Sequence, residues 1–189
     1  MACMKTMMCC LMDVGKTMND PIHPGGPKKL DTALTLVASH ITQRIMASKT
    51  VEFAVVTYGS ENSHNSLHET QGGYEGIDEV LPMGTKSLSM IGDVYSIPGG
   101  STATGDLIDG IIVAQDILIR GNVGKKFNRV MLIITDGESE VDPEGIETLS
   151  SCVEKMRDDG FIVYICILGP SKSNIQIENI KLFSNITST

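Results

Sequence analysis

Apolar and polar positions fall along this chain in blocks whose periods separate strands from helices. Met7 to Met12 is an unbroken apolar run that stops at Asp13 and is followed at once by Gly15. A run too short for a core helix and closed by a turn signal predicts a buried strand. Asn19 to Lys28 (NDPIHPGGPK) is a Pro/Gly-rich loop. From Leu30 to Ser48 the positions Leu30, Ala33, Leu34, Val37, Ala38, Ile41 and Ile45 recur at helical spacing, with Asp31, Thr35 and Gln43 on the other face. Val51 to Tyr58 (VEFAVVTY) is β-branched and aromatic and predicts a second strand. Gly59 to Gly76 is polar and too long for a simple connection, which marks it as a functional loop. Ile77 to Leu81 reads as an edge strand and Lys86 to Val94 as a short helix.

Leu107 to Ile119 is apolar almost all round, which predicts a helix sunk deeply against a sheet. Val130 to Thr135 and Phe161 to Leu168 are buried strands; between them Gly145 to Asp159 is an amphipathic helix using Ile146, Leu149, Val153 and Met156. Ile175 to Phe183 reads as a closing helix. Continuous apolar strands alternating with helices predict a doubly wound, mostly parallel α/β sheet with helices on both faces. No repeat or linker interrupts the pattern, so residues 1–189 read as one domain, large enough to bury its own core.

Composition narrows the function. With 4% aromatic residues and no Trp, aliphatic packing carries the core. A formal net charge of -8 makes the domain a poor stand-alone ligand for phosphate backbones, since it would release few counterions on contact. The five cysteines, Cys3, Cys9, Cys10, Cys152 and Cys166, are odd in number and lack CxxC spacing; they read as reduced core residues of an intracellular chain. Lys5 and Asp13 bound an apolar stretch too short for a signal peptide or a membrane span, so the Asn185-Ile-Thr187 sequon carries no weight.

The candidate chemistry sits at strand ends. Asp13 and Thr17 follow the first strand, Thr102 lies in PGGSTATGD (Pro98 to Asp106), and Asp136 follows the strand within VMLIITDGES (Val130 to Ser139). Open α/β sheets collect ligands at the carboxyl ends of their strands. If these loops meet, the four residues surround one point with the oxygen donors that a hard divalent cation wants. The alternative is that Asp13 and Asp136 hydrogen-bond nearby backbone groups and shape the turns. Other signals fail. CLMDVGKT has Cys10 where a phosphate-binding loop needs its first glycine, GNVGKK has the wrong spacing, and His64 and His68 flank Asn65 where a zinc protease needs Glu.

Asp13-x-Gly15-x-Thr17 with Thr102 and Asp136 resembles the metal-ion-dependent adhesion site of von Willebrand factor A domains. The resemblance implies a magnesium site at Asp13, Thr17, Thr102 and Asp136, made degenerate by Gly15 standing where that family's motif has its first serine. A closer likeness lies in an ordered set of segments: MDVGKTM, VVTYGSENSHNSL to GGYEGI, GDLIDGIIVAQDIL, VGKKF and ITDGES. Together they resemble the amino-terminal A domain of the larger (beta) subunit of the Ku heterodimer, where Asp-Val-Gly is itself usual.

That resemblance implies a nuclear, non-enzymatic protein of double-strand-break repair by non-homologous end joining and of telomere maintenance, paired with the smaller Ku subunit. The family's DNA-encircling β-barrel follows the A domain, so a chain that stops at Thr189 is expected to meet DNA ends only as part of the full heterodimer. The A domain is expected to bind short peptide motifs of end-joining repair factors, with Leu67, Tyr74 and Ile112 as apolar contacts and Asp106 and Asp109 as an acidic rim. The family is sometimes labelled an ATP-dependent helicase, yet this sequence has no phosphate-binding loop. The rival reading is an A domain that binds an acidic ligand residue through Mg2+.

Overall fold

The computed structural model describes residues 5–47, 51–100, 105–124, 126–139, 145–169, 183, 184 and 186. Its centre is β1 (Lys5–Asp13), flanked in parallel by β2 (Val51–Tyr58) and β4 (Phe127–Thr135). β5 (Ile162–Ile167) adds in parallel outside β4, and β3 (Ile77–Thr85) adds antiparallel outside β2, giving the order β3-β2-β1-β4-β5.

The period of a strand explains why β1 is apolar from Met7 to Met12. Met7, Cys9 and Leu11 point to the face covered by α4 (Leu107–Gly121) and α5 (Gly145–Asp158). Met8, Cys10 and Met12 point to the face covered by α1 (Lys29–Ala47) and α3 (Ser89–Tyr95). Both sets are buried, so every residue of the run from Met7 to Met12 has an apolar environment. The doubly wound α/β reading holds, and the core divides into one cluster on each face of the sheet. Among the described residues, no helix is long and apolar enough to cross a membrane.

The differences from the predicted elements have local causes. The long polar loop contains a further helix, α2 (Ser66–Gln71), none of whose residues is buried. Without an apolar face it leaves no helical period to read, and its signal is the Asn65 cap, whose Oδ1 accepts from the His68 amide at 2.9 Å. β3 runs past Leu81 to Thr85, through Pro82 and Gly84, which an edge strand with shifted register tolerates. β4 begins at Phe127 rather than Val130. The expected helix from Ile175 to Phe183 lies almost wholly outside the described residues; Phe183 itself is buried.

β1 leads through α1 to β2 on one side, whereas β4 reaches its other side from α4. The winding therefore reverses between β1 and β4. The crevice beyond their carboxyl ends is the topological switch point, and Asp13 and Asp136 are the residues that reach it.

Candidate functional site

Asp13 ends β1 and is fully buried. Its Oδ1 accepts from the Gly15 amide at 2.8 Å, and its Oδ2 accepts from the Thr135 hydroxyl at 2.9 Å and the Ser139 hydroxyl at 3.5 Å. Thr135 Oγ1 in turn accepts from the Gly137 amide at 3.0 Å, which ties the end of β4 to its own turn. Asp136 Oδ1 accepts from the Glu138 amide at 3.0 Å. The turn-shaping role therefore describes both aspartates: each bonds an amide two residues onward, as Asx turns do.

The remaining oxygen of Asp136 faces a cation that sequence reasoning overlooked. Lys29 Nζ donates to Asp136 Oδ2 at 3.0 Å and to Glu138 Oε1 at 2.9 Å, and the residue is only 2% exposed. The Pro/Gly-rich loop delivers it there. Pro21 and Lys28 form an isolated bridge, Ile22 N donates to Pro27 O at 2.9 Å, and Lys29 N donates to Asp20 O at 2.9 Å. A lysine in the first turn of a helix ordinarily reads as solvated; the usable signal is that a lysine is almost never buried unless paired.

The electrostatics follow from burial. Burial first, then the charge of Asp136, push the Asp13 carboxyl up to about 6, against the lowering effect of its bonds from Gly15 and Thr135 and of the Tyr58 phenol. Burial opposes the charge on Lys29, but its bonds to Glu138 and Asp136 and their charges outweigh that, holding the amine above its usual value. The Tyr58 phenol is fully buried beside Asp13, and burial and then that carboxylate push it well up. Its hydroxyl faces the carboxylate without closing a hydrogen bond of good geometry.

These donors do not fit a magnesium ion. All four carboxylate oxygens of Asp13 and Asp136 already accept bonds from protein groups, and Gly15 supplies no hydroxyl. Thr17 lies half-buried in a 3-10 turn (Lys16–Asn19), and among the described residues no hydrogen bond joins its hydroxyl to either carboxylate. Thr102 lies outside the described residues. Among the described residues no group of His, Cys, Asp and Glu is arranged to hold a metal.

The adjoining loops meet backbone against backbone. Gly100 N donates to Val14 O at 2.6 Å and Gly100 O accepts from Asn19 Nδ2 at 3.0 Å. A Cβ on Gly100 would strike the Gly59 carbonyl, and one on Gly105 the Gly59 amide nitrogen. Glycine is required because no side chain fits between these loops.

A second feature lies on the α4–α5 face, a groove of about 540 Å3 lined by Leu67, Tyr74, Ile112, Ile119 and Cys152, with Gln115, Asp116 and Lys155 among its polar groups. Leu67, Tyr74 and Ile112 are half-buried against the core beneath, so the structure brings the three predicted apolar contacts together. Tyr74 is held at φ 53, the one non-glycine residue with positive φ among those described, beside Gly72, Gly73 and Gly76 at φ 73, 71 and 69. Buried Asn65 fixes this turn: its Nδ2 donates to Tyr74 O at 3.2 Å and Ile77 O at 2.9 Å. The predicted acidic rim is rearranged. Asp106 Oδ1 caps α4, accepting from Ile108 N at 2.8 Å and Asp109 N at 3.3 Å. Burial and then Asp109 push the Tyr74 phenol up, so Asp109 acts on the groove through its charge, while Asp116 lines it directly.

Residues 7–185 match the model of the Ku70/Ku80 N-terminal alpha/beta domain. The chain is 29% identical over 145 residues to "ATP-dependent DNA helicase II subunit 2" of Chaetomium globosum, covering 75% of this chain and 20% of that protein. It is 23% identical over 156 residues to "X-ray repair cross-complementing protein 5" of Dictyostelium discoideum, covering 81% and 19%. It is 30% identical over 125 residues to "ATP-dependent DNA helicase 2 subunit KU80" of Arabidopsis thaliana, covering 64% and 18%. The chain thus spans about a fifth of the length of these relatives. Among solved structures, proximal thread matrix protein 1 of the mussel byssus superposes with a TM-score of 0.62 at 11% identity, over 98% of this chain and 42% of that one, a likeness of fold alone. By its sequence match across almost the whole chain, this chain belongs to the Ku70/Ku80 N-terminal alpha/beta domain family.

Proposed function

We propose that this domain is a protein-interaction module, not an enzyme, of a Ku80-type subunit in DNA double-strand-break repair by non-homologous end joining and in telomere maintenance. It works in the nucleus, pairs with the smaller Ku subunit, and recruits end-joining repair factors through short peptide motifs. DNA ends are met by the full-length heterodimer, consistent with the formal net charge of -8 on this domain.

The observation that carries the recruiting role is the groove. It is concave, floored by Leu67, Tyr74 and Ile112, and edged by Asp116 with Asp109 nearby. An apolar trough suits a short segment that presents an apolar anchor, and Asp109 and Asp116 favour a neighbouring Lys or Arg, although Asp116 is shared with Arg120 and Lys155 also lines the groove. The rival reading, in which Mg2+ recruits an acidic ligand, finds no support in donors already engaged by Gly15, Thr135, Glu138 and Lys29.

The test is affinity capture from nuclear extract, with the wild-type domain and an Ile112→Asp variant as baits, each in magnesium and in EDTA. End-joining factors are expected on the wild type in both buffers and to be lost from Ile112→Asp. Equal capture by the two baits would remove the groove from the reading. Capture that vanishes in EDTA would favour the metal-dependent alternative.

A further inference from the structure

We propose that Lys29 is a resident cation, its ammonium taking the position that a divalent ion would need at the carboxyl edge of the sheet and so closing the acidic cluster to metal. Asp136 and Glu138 share the Lys29 ammonium at the switch point, and the Asp136 charge is felt by Asp13 beside it. Carboxylates so buried require a paired charge. Lys29 Nζ supplies it at 3.0 Å from Asp136 and 2.9 Å from Glu138, with side-chain exposures of 3% for Lys29 and 0% for Asp136.

Two properties make this ammonium hard to displace. It is tethered, because the Lys29 amide is bonded to Asp20 O at 2.9 Å at the foot of a closed turn, so the amine competes as an intramolecular ligand at high effective concentration. It also fits the available acceptors as magnesium does not. Mg2+ requires near-octahedral oxygens at about 2.0–2.1 Å and keeps several waters. Here the Asp13 oxygens face Gly15 N and Thr135 Oγ1, and one Asp136 oxygen faces Glu138 N. The lysine thereby joins the start of α1 to the turn after β4. In this family member the edge is a fixed strut, so partner binding elsewhere on the domain proceeds without an ion there.

The test uses the full chain with Mn2+ as the probe, measured by calorimetry and thermal unfolding. Wild type and Lys29→Arg are expected to show no saturable Mn2+ binding. Lys29→Met is expected to bind Mn2+ saturably, at least about tenfold more tightly than wild type, with an unfolding midpoint that rises only for this variant; adding Asp136→Asn is expected to abolish both effects. Saturable binding by the wild type that Asp136→Asn removes would overturn the proposal, as would Lys29→Met remaining blind to Mn2+. If Lys29→Met does not fold, the wild type decides. The Lys29 amine is expected to resist amine-modifying reagents equally in Mn2+ and in EDTA, read by mass spectrometry. Faster modification in Mn2+ would show that the ion displaces it and would overturn the proposal.

Discussion

Lys29 and Asp136, 107 positions apart in the chain, meet at 3.0 Å with both side chains sealed from solvent. Breaking such a pair from one side leaves a buried charge without its counter-ion, which typically costs about 3–5 kcal/mol. Lys29→Met should therefore destabilise the domain by roughly that amount in urea unfolding. Removing both charges is a different perturbation. Lys29→Met with Asp136→Asn should recover more than half of the loss, because the residual Glu138 carboxylate is 20% exposed and can hydrate. A double variant no better than the single would show that packing, not charge, is what Lys29 supplies.

Asp13 gives the domain a pH dependence whose sign is fixed by its environment. Its folded value of about 6 lies above the ordinary 3.8, so the folded state binds the proton more tightly. The stability this contributes is full below the unfolded value and is lost as pH rises through the folded one. Asp13→Asn keeps the shape and cannot ionise. Its stability relative to wild type should rise by roughly 2–3 kcal/mol between about pH 4 and pH 7. Chemical denaturation of both proteins across that window checks it; a flat difference would mean the carboxyl titrates as if solvated.

Two glycines predict opposite responses to the same substitution. Gly100 is buried, and an added Cβ would strike the Gly59 carbonyl and come to 3.0 Å from Val14 O. Gly100→Ala should cost upward of about 2 kcal/mol, since backbone on both sides must move. Gly92 lies exposed within α3 with nothing near its Cβ direction, so Gly92→Ala should stabilise by about 0.5–1 kcal/mol. Thermal unfolding of the two variants reads both signs at once.

What the sequence disclosed and what it hid divide along physical lines. The apolar runs of β1, β2 and β4 and the nearly all-apolar α4 were legible because burial imposes composition directly on periodicity, whereas β5, expected to be a buried strand, is an edge strand with Ile162, Tyr164 and Ile167 exposed. Helix α2 was not, because only Leu67 of it packs even partly against the core and its start is marked by one cap at Asn65. At the carboxyl edge the sequence placed Asp13 and Asp136 correctly, as strand ends converge wherever the sheet is parallel. Lys29 was invisible, since its partners lie over 100 positions away and no local period encodes a salt bridge. Leu67, Tyr74 and Ile112 came together as expected; Asp106, read as part of an acidic rim, also caps α4, a role its place just before an apolar helix signals.

The turn that presents Tyr74 is held at its centre by the Asn65 side chain, with His68 and Ser63 bonding Gly73 and Gly76 on either side of Tyr74. Asn65 accepts from His68 N at 2.9 Å to start α2, and with its Nδ2 it holds the carbonyls of Tyr74 and Ile77. Asn65→Ala removes all three bonds and leaves the Ile77 carbonyl without this donor, for an expected loss of about 2–3 kcal/mol. The loss should be local at first. Amides of residues 60–76 should exchange with solvent faster, while those of β1 and β4 keep their protection, because this loop touches the core only at its margin, through half-buried Leu67 and Tyr74. Asn65→Asp separates the roles: it retains the cap acceptor but has no amide to donate, and it sets a carboxylate against two carbonyls. It should protect α2 better than Ala does while releasing Tyr74 from φ 53, and groove binding should fall in both variants. Hydrogen exchange measured peptide by peptide distinguishes these outcomes. Uniform loss of protection across the sheet would instead mean that Asn65 supports the whole fold.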